Sequence, residues 1–544
     1  MSEARGPRIL QWEGPVPVPP IPNTNFASFF LNVVAQHGEA VALVDAATGK
    51  RHTYGDLQHL VSRVRNGFAT AGIGVGESVL LLTSNHIDAP VVLFSVMLMG
   101  AACVPVNPYL TSEELAHVIR LSGARWAVVH EEVLKVAEEA FSLVGTDVLR
   151  KLWVLGDVPG RKSLASLIRT EMTDPPAAEE FDPSTTVAMM PFSSGTTGLP
   201  KGVMLSHRNI MTSYLQNKYV RELNPPGTPN VLQCTLMLLP TYHIYGYTIL
   251  MGCLSTGGKA VMLQKFSPEK YFETIQKYKV TFSPIVPHIA KFLSETPLWQ
   301  KYDLSSLLAF SSGSAPLPTS TLMNLMKRSG KGAGQGYGMT EVCATVAVNG
   351  GAVGFKLEAA GKLLPYYECK VVDVQTGEMV GESVEGEVCL RGPSIMLGYV
   401  NNPQATADTI DPEGWLHSGD LGYYDEDNFL FLTDRLKDLI KVKGYQVSPS
   451  ELEKLLRDME GVSDVAVVGV PNERLGEAPR AYIVPAEGAT IDPGAVLKHV
   501  ADHVTPYKQL SGGVEFVEVL PKNHLGKVLK RQLRNAFVKR KSKL

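Results

Sequence analysis

Ten residues near position 200 combine glycines, hydroxyl side chains and a lysine in a pattern that suits phosphate binding. Glycine lets the backbone curl closely around an anion, and hydroxyls and backbone N–H groups donate hydrogen bonds to it. The lysine adds a positive charge for the outer phosphates. The residues are Ser193, Ser194, Gly195, Thr196, Thr197, Gly198, Leu199, Pro200, Lys201 and Gly202. The apolar run 187–190 precedes them, so we expect a short buried strand followed by a polyphosphate-binding loop.

This stretch differs from the common nucleotide-binding loop GxxxxGK[ST], because Gly202 follows Lys201 and the glycines are spaced differently. A flexible surface loop rich in Gly, Ser and Thr is the alternative interpretation of so short a motif. Other motifs in the chain must decide between the two.

Three further motifs carry side chains suited to a nucleotide. Thr340 and Glu341 follow a glycine turn, and a hydroxyl beside a carboxylate suits a phosphate oxygen and the Mg²⁺ bound to it. Asp420 ends the segment 415–420, and an acid there suits the two hydroxyls of a ribose. Lys527 lies beside a glycine on a turn. Singly, each could be a turn, a solvated acid or a surface lysine; together, in this order, they favour a nucleotide site.

Composition and charge exclude several classes of function. The formal net charge of −3 gives no reason to expect nucleic acid or an anionic membrane as partner. Six scattered cysteines without CxxC spacing are typical of reduced, buried thiols. The uncharged stretch 89–110 is interrupted by prolines and a glycine, so it predicts a buried helix followed by a strand, 102–106, and not a transmembrane helix. We expect a soluble protein without a signal peptide.

Helix and strand patterns alternate along most of the chain. Strand-like runs at 78–82 and 126–129 flank helical patterns that begin at 53 and at the capping box 111–114. The alternation restarts after the phosphate loop, with a strand at 231–239, a helix at 271–277 and strands at 280–285 and 307–310. The fold class predicted is therefore α/β, with two α/β layers packed together.

The pattern changes twice towards the end of the chain. From about residue 354 short runs between glycines indicate a small β unit, and the segment 434–438 resembles a domain boundary. A second capping box at 448–451, with proline at the first helical position, then opens a compact α+β pattern with strands at 465–470 and 481–484. We expect a large domain over 1–436 and a small C-terminal domain over 437–544.

In this order the motifs resemble those of the adenylate-forming acyl-CoA synthetase superfamily, which contains the 4-coumarate:CoA ligases and the beetle luciferases. The resemblance extends from about Phe26 to the C-terminus, and the segment 386–392 is very similar to the second signature motif of the coumarate ligases. It implies a large domain of two α/β layers with a small β-barrel-like unit, followed by a mobile C-terminal domain that rotates about a hinge at Lys437.

The resemblance also assigns the nucleotide-binding residues. Residues 193–201 would hold the phosphates of ATP, Thr340 would contact phosphate, and Glu341 would bind Mg²⁺. The adenine would lie against a wall formed by Ser314, Gln335, Gly336 and Tyr337. Asp420 and Arg435 would hold the ribose.

Two half-reactions follow from the same resemblance. The carboxylate of the substrate attacks the α-phosphate of ATP, which gives acyl-AMP and pyrophosphate, and Lys527 would stabilise the charge that develops. The thiol of coenzyme A then displaces AMP after the small domain has rotated. The face presented for this step would carry Lys441, Lys443, Gly444 and Gln446. A solvated strand is the alternative interpretation of the two lysines.

The acyl site is assigned to an aromatic segment with His243 and Tyr245, together with Gly313 and Ser314. Two departures from the family pattern narrow the range of expected substrates and reactions. After Glu341 the chain reads Val342-Cys343-Ala344-Thr345 where coumarate ligases usually have a Gly-Pro-Val run, which argues against hydroxycinnamate as substrate. Ser213 replaces an arginine of the beetle luciferases, which argues against bioluminescence. We therefore expect a ligase for a fatty or aryl-substituted acid, with a luciferase-type oxygenase and a non-catalytic scaffold as the alternatives.

The final tripeptide, Ser542-Lys543-Leu544, matches a peroxisomal import signal. A chance match within a basic tail is the alternative interpretation. We expect the protein to bind the import receptor and to act in peroxisomal fatty acid metabolism.

Overall fold

The computed structural model describes residues 6–15, 17–145, 147–168, 180–193, 200–443, 445–523 and 526–541. These residues form two compact units. The larger unit contains residues 11–368 and 391–416, and the smaller unit contains residues 6–10, 369–390 and 417–541.

The larger unit contains a sheet of eight strands. In spatial order they are Gly398–Tyr399, Lys201–Ser206, Val187–Met189, Ala102–Val106, Ser78–Leu82, Trp126–His130 and Lys151–Leu155, with Phe192–Ser193 paired to Lys201–Ser206. The strand at 78–82 is parallel to both of its neighbours. Its side chains alternate between two cores, because Val79 and Leu81 pack on one face and Leu80 and Leu82 on the other.

A second sheet in the larger unit has nine strands. In spatial order they are Lys362–Leu363, Ala344–Asn349, Gly332–Met339, Ala309–Ser312, Phe282–Ile285, Cys234–Met237, Lys259–Met262, Val41–Asp45 and Arg51–Thr53. The six central strands are parallel, and an antiparallel strand pairs with each side of this group. Both sheets contribute buried residues to one shared core, so the predicted pair of packed α/β layers is confirmed.

Helices cover the two sheets. In the larger unit they are Phe26–Ala35, Tyr54–Thr70, Ala89–Leu98, Ser112–Ser122, Leu134–Val144, Leu164–Ile168, His207–Glu222, Ile244–Ser255, Pro268–Tyr278, Pro287–Glu295, Thr319–Ser329 and Pro403–Ala407. Thr53 and Thr111 each begin a helix with a complete capping box, in which side chain and backbone satisfy each other's donors.

The apolar stretch after residue 88 forms the predicted helix, Ala89–Leu98, and the predicted strand, Ala102–Val106. The helix is only ten residues long and lies within the core of the larger unit. Among the residues that the structure describes, no helix has the length and apolar character needed to cross a membrane.

The smaller unit holds most of one five-stranded sheet and all of another. The first contains, in spatial order, Leu10–Gln11, Glu368–Val372, Gly386–Arg391, Leu416–Tyr424 and Leu430–Arg435. The second contains Tyr445–Val447, Ile440–Val442, Gly476–Pro485 and Val462–Asn472, with Val514–Phe516 paired to Gly476–Pro485. The helices are Pro449–Arg457, Pro493–His503 and Lys530–Lys541. The first sheet is the small β unit that the glycine-bounded runs predict.

Two local predictions were wrong in part. The apolar run 231–239 is a strand only over Cys234–Met237, because a one-turn helix, Val231–Gln233, precedes it. Ser448 caps its helix by accepting the N–H of Glu451, but the carboxylate of Glu451 accepts from Lys508 Nζ at 2.7 and 2.8 Å. This ion pair takes the place of the bond that would have completed the capping box.

Candidate active site

Several predicted site residues follow strands of the nine-stranded sheet. Ile285, Ser312 and Gln335 occupy matching positions on three adjacent parallel strands. Gly313 and Ser314 come directly after the second of these strands, and the segment 336–341 continues the third. Because the carboxyl ends of parallel strands lie at one edge of a sheet, this edge collects side chains from distant parts of the sequence.

Glycines allow close backbone approach at the same edge. A side chain at Gly338 would have its Cβ only 1.6 Å from the backbone oxygen of Ala344 on the paired strand. The side chain of Gln335 donates to the backbone oxygen of Ala359 at 3.0 Å. Ser314 has a φ of 72°, a conformation that is uncommon for residues other than glycine. The predicted adenine wall therefore combines a tightly paired strand with a strained turn.

The two described ends of the predicted phosphate loop face each other across an antiparallel pair. Ser193 is paired with Lys201 and Phe192 with Gly202. A β-hairpin therefore brings the first hydroxyl and the lysine of the motif together. Ser194, Gly195, Thr196 and Thr197 lie outside the described residues.

A tyrosine links the lysine of this hairpin to the predicted metal ligand. The ammonium of Lys201 lies 4.7 Å from the centre of the Tyr399 ring, and the hydroxyl of Tyr399 donates to Glu341 Oε1 at 2.8 Å. Burial and the neighbouring carboxylate raise the pKa of Tyr399, so it remains a neutral donor. Thr340 and Glu341 themselves lie on a one-turn helix that follows the strand Gly332–Met339.

Sequence reasoning did not identify Tyr399. It lies on a two-residue strand that pairs with Lys201–Ser206, with Tyr399 opposite Val203. Its link to Glu341 spans 58 positions of the sequence. Nothing in the local sequence around Tyr399 signals that contact.

The predicted acyl segment contacts the turn after the second strand. The hydroxyl of Tyr245 donates to the backbone oxygen of Ser311 at 3.2 Å, and burial raises its pKa to about 12. A Cβ on Gly313 would lie 2.9 Å from the Tyr245 ring, so the ring packs directly on the glycine. His243 directly precedes the helix Ile244–Ser255, without a capping hydrogen bond from its side chain, and its ring lies 4.7 Å from that of Tyr242.

In the smaller unit, the predicted ribose ligands are paired with each other. Asp420 is 3% exposed and accepts from Arg435 Nε at 2.8 Å, and the two residues are partners on adjacent antiparallel strands. Lys437 follows on a one-turn helix, Leu436–Asp438. Backbone pairing and side-chain contact thus hold the acid in one orientation.

Lys527 lies among these same charges. Burial is the main cause that lowers its pKa, to about 8, and Arg435 and Lys437 lower it further while Asp438 and Asp420 oppose them. A turn holds its backbone, because Lys527 N donates to the side chain of Asn523 at 2.9 Å. The smaller unit therefore brings the predicted ribose ligands and the predicted catalytic lysine together.

The predicted coenzyme A residues lie on a different hairpin of this unit. Lys441 and Gln446 are opposite each other and both are exposed. The N–H of Lys441 donates to Glu477 Oε2 at 3.0 Å, and Glu477 also pairs with Arg534. Lys443 follows with a φ of 50°, and Gly444 lies outside the described residues.

Comparisons with known proteins agree with this architecture. Residues 30–400 match the model of the AMP-binding enzyme family, and residues 451–527 match that of the AMP-binding enzyme C-terminal domain. A 4-coumarate–CoA ligase of Pinus taeda is 36% identical over 516 residues, which cover 93% of this chain and 94% of that protein. The peroxisomal OPC-8:0-CoA ligase 1 of Arabidopsis thaliana is 36% identical over 540 residues, covering 95% and 94%.

Solved structures are similar over nearly the full length. The anthranilate CoA ligase AuaEII in complex with anthranoyl-AMP has a TM-score of 0.85 at 25% identity, covering 97% of this chain and 99% of that one. ATP-bound MatB from Rhodopseudomonas palustris has a TM-score of 0.83 at 28% identity, covering 93% and 99%. The chain belongs to the AMP-binding enzyme family and is an ATP-dependent, AMP-forming acid:CoA ligase of the acyl-CoA synthetase superfamily.

Proposed function

We propose that this ligase activates a fatty or aryl-substituted acid in the peroxisome, with acyl-AMP formation at the Lys201–Tyr399–Glu341 chain. That chain is the observation that carries the proposal, because it joins a cation on the hairpin to a carboxylate suited to a metal. The carboxylate oxygen of the acid attacks the α-phosphate of ATP and pyrophosphate leaves. The thiolate sulfur of coenzyme A then forms the thioester and AMP leaves.

Mg²⁺ fits the residues on the phosphate side. The hydroxyl of Thr340 and the carboxylate of Glu341 are hard oxygen donors, the type that Mg²⁺ prefers. Tyr399 fixes one carboxylate oxygen of Glu341 by a 2.8 Å hydrogen bond. When bound, the ion neutralises charge on the phosphates. Lys201 adds a second positive charge from the hairpin, and the ring of Tyr399 restricts its position.

In this proposal, two lysines of the smaller unit act in different half-reactions. Lys527 contacts the reacting carboxylate and the α-phosphate during acyl-AMP formation. Lys441, with Lys443, Gly444 and Gln446, guides coenzyme A during thioester formation. A rotation about Lys437, between the large domain 1–436 and the small domain 437–544, exchanges the two arrangements.

The acid is proposed to lie beside His243, Tyr245, Gly313 and Ser314. A Cβ added at Gly313 would approach the Tyr245 ring to 2.9 Å, which gives a test of this placement. Gly313→Ala should push the ring aside and reduce the space for the acid, which overpacking penalises by about 1–3 kcal/mol. We expect the preferred acid to become shorter, and an unchanged preference would contradict the placement.

Peroxisomal import is supported by the tripeptide Ser542-Lys543-Leu544, which lies outside the described residues, and by one relative that is named as peroxisomal. Deletion of the tripeptide should leave a tagged protein in the cytosol while the purified enzyme keeps its activity. Continued import after the deletion would contradict this part of the proposal.

The function is tested by AMP release that depends on coenzyme A, measured with medium-chain, long-chain and cinnamic acids. We expect at least one acid to give both AMP and its thioester. Oxygen consumption and light output with luciferin and ATP test the oxygenase alternative. Absence of pyrophosphate release with every acid would favour the scaffold.

A further inference from the structure

A small cavity lies between two helices of the larger unit, His207–Glu222 and Ile244–Ser255. Its lining is mixed, because it includes the hydroxyl-bearing Ser213 and Thr248, the aromatic Tyr247 and the guanidinium of Arg221. Cys343, two positions after Glu341, also lines it. The cavity therefore begins next to the candidate active site and contains a cation.

Arg221 makes few contacts for a guanidinium in such a place. Its side chain donates a hydrogen bond to the hydroxyl of Ser255, at 3.3 Å. Among the described residues no carboxylate forms an ion pair with it, and the adjacent Glu222 pairs instead with Lys218 at 2.8 Å. Burial lowers the pKa of the guanidinium, which nevertheless stays protonated. A part-buried guanidinium with a neutral hydrogen-bond partner and no ion pair among the described residues suits the binding of an anion.

The cavity also contains a polar atom that lacks a partner. The hydroxyl of Tyr247 is buried and has no hydrogen-bond partner among the described residues. A second small cavity, with a mainly apolar lining, shares Tyr247 and Met251 with the first. An apolar space thus adjoins a space that holds a cation and a hydroxyl without a partner.

One helix, Ile244–Ser255, carries residues of both this cavity and the predicted acyl site. Tyr245, Thr248 and Gly252 lie on one face of the helix Ile244–Ser255, because their spacing is three and four residues. Tyr245 packs on Gly313, whereas a Cβ on Gly252 would lie 3.3 Å from Arg221 Nη1. The seven residue steps from Tyr245 to Gly252 correspond to about 10 Å along the helix axis. An extended acid of medium length spans that distance.

We propose that Arg221 binds a second carboxylate at the far end of the acid, so that the enzyme prefers medium-chain dicarboxylic acids. This inference rests on the proposed function, because it assumes that the reacting carboxylate lies near Tyr245. The guanidinium presents paired N–H donors that match both oxygens of a carboxylate, and Tyr247 supplies a further donor.

The test compares three acids of equal chain length: a medium-chain dicarboxylic acid, its monomethyl ester and the monocarboxylic acid. For each, kcat/KM for coenzyme A-dependent AMP release is measured with the wild type, Arg221→Met, Arg221→Lys and Lys327→Met. Methionine keeps the apolar stem without the charge. Lys327→Met removes a cation from another helix of the larger unit, at an exposed residue that does not line the cavity, and serves as the control.

We expect Arg221→Met to lower kcat/KM for the dicarboxylic acid about tenfold to a hundredfold. The values for the ester and the monocarboxylic acid should stay within about threefold. Arg221→Lys should restore part of the loss, since it returns the charge without the paired donors. Lys327→Met should change none of the three.

Equal losses for all three acids, or a wild type that shows no preference for the diacid, would overturn the role of Arg221. In both of these outcomes the enzyme still releases AMP, so the proposed ligase function would stand. Absence of AMP release with every acid tried would instead overturn the proposed function, and this inference with it. Thermal unfolding of each variant separates a loss of stability from a change in selectivity.

Discussion

Lys527 and Lys441 belong to the same smaller unit, but their surroundings differ in kind. Lys527 lies among the charges of Asp420, Arg435 and Asp438, and its burial lowers its pKa to about 8. Lys441 lies on an exposed hairpin, where its backbone N–H donates to Glu477. One lysine is held next to the predicted ribose ligands, and the other projects from an exposed strand.

These contrasting surroundings suit the proposed division of the two lysines between two half-reactions. A partly desolvated ammonium near the nucleotide stabilises developing charge more strongly than a solvated one, because fewer waters screen it. An exposed ammonium on a hairpin is screened by water, so it has little electrostatic effect on a reaction until a ligand covers it. We therefore expect the two lysines to act in different half-reactions, and the substitutions below test that division.

The largest effect is expected for Lys527→Ala. It removes a preorganised positive donor, so acyl-AMP formation should slow by roughly two to three orders of magnitude. Pyrophosphate release in the absence of coenzyme A measures this step. Lys522→Ala is the control, because Lys522 lies on the same segment and forms an ion pair with Asp464. A loss below tenfold for Lys527→Ala would contradict the assigned role.

Lys441→Ala should leave acyl-AMP formation unchanged and slow thioester formation by roughly one to two orders of magnitude. The reason is that an exposed cation matters only where coenzyme A covers it. Single-turnover transfer from pre-made acyl-AMP to coenzyme A measures the step. Lys498→Ala, at another exposed position of the same unit, should have no effect. Equal rates for Lys441→Ala and the wild type would show that the hairpin is only a solvated strand.

Tyr399→Phe tests the phosphate side, which belongs to the larger unit. The variant keeps the ring over Lys201 and removes the hydroxyl that donates to Glu341, so acyl-AMP formation should fall by about tenfold. An increased requirement for Mg²⁺ should accompany the loss, which a general loss of stability would not produce. Tyr271→Phe removes another buried tyrosine hydroxyl, paired with Ser283, and should leave the Mg²⁺ dependence unchanged.

The smallest expected effect is a difference in pH dependence between the two half-reactions. It distinguishes the roles of the two lysines without any substitution. With a pKa of about 8, lowered from its ordinary value of 10.5, Lys527 is mostly charged at neutral pH and loses its proton as the pH rises. Acyl-AMP formation should therefore fall about fourfold between about pH 7 and about pH 8.5. Thioester formation from pre-made acyl-AMP should not follow the same curve. If the rates of acyl-AMP formation and thioester formation fell along the same pH curve, one titrating group would limit both steps.

Local sequence patterns predicted much of the scaffold. The strand Ser78–Leu82 alternates between two cores, and the helix at Ser112 begins with a complete capping box, because both features depend on neighbours in the sequence. The stretch after residue 88 was likewise interpreted correctly as a helix and a strand. The spacing of the motifs and their resemblance to known motifs together predicted the family.

Contacts between distant segments could not be predicted in this way. Tyr399 reaches Glu341 only because a two-residue strand pairs with the strand that carries Lys201. Arg221 lines a cavity whose walls come from two helices and the segment after Glu341. The ion pair between Glu451 and Lys508 spans 57 positions and replaces a local capping bond. Each depends on tertiary packing, which local spacing does not encode.

The most direct test of the division between the lysines is thioester formation by Lys527→Ala from pre-made acyl-AMP and coenzyme A. This measurement bypasses the step that the substitution is expected to damage. We predict a rate within about threefold of the wild type, alongside the large loss in acyl-AMP formation. A rate reduced as strongly as acyl-AMP formation would contradict the division, because Lys527 would then serve both half-reactions.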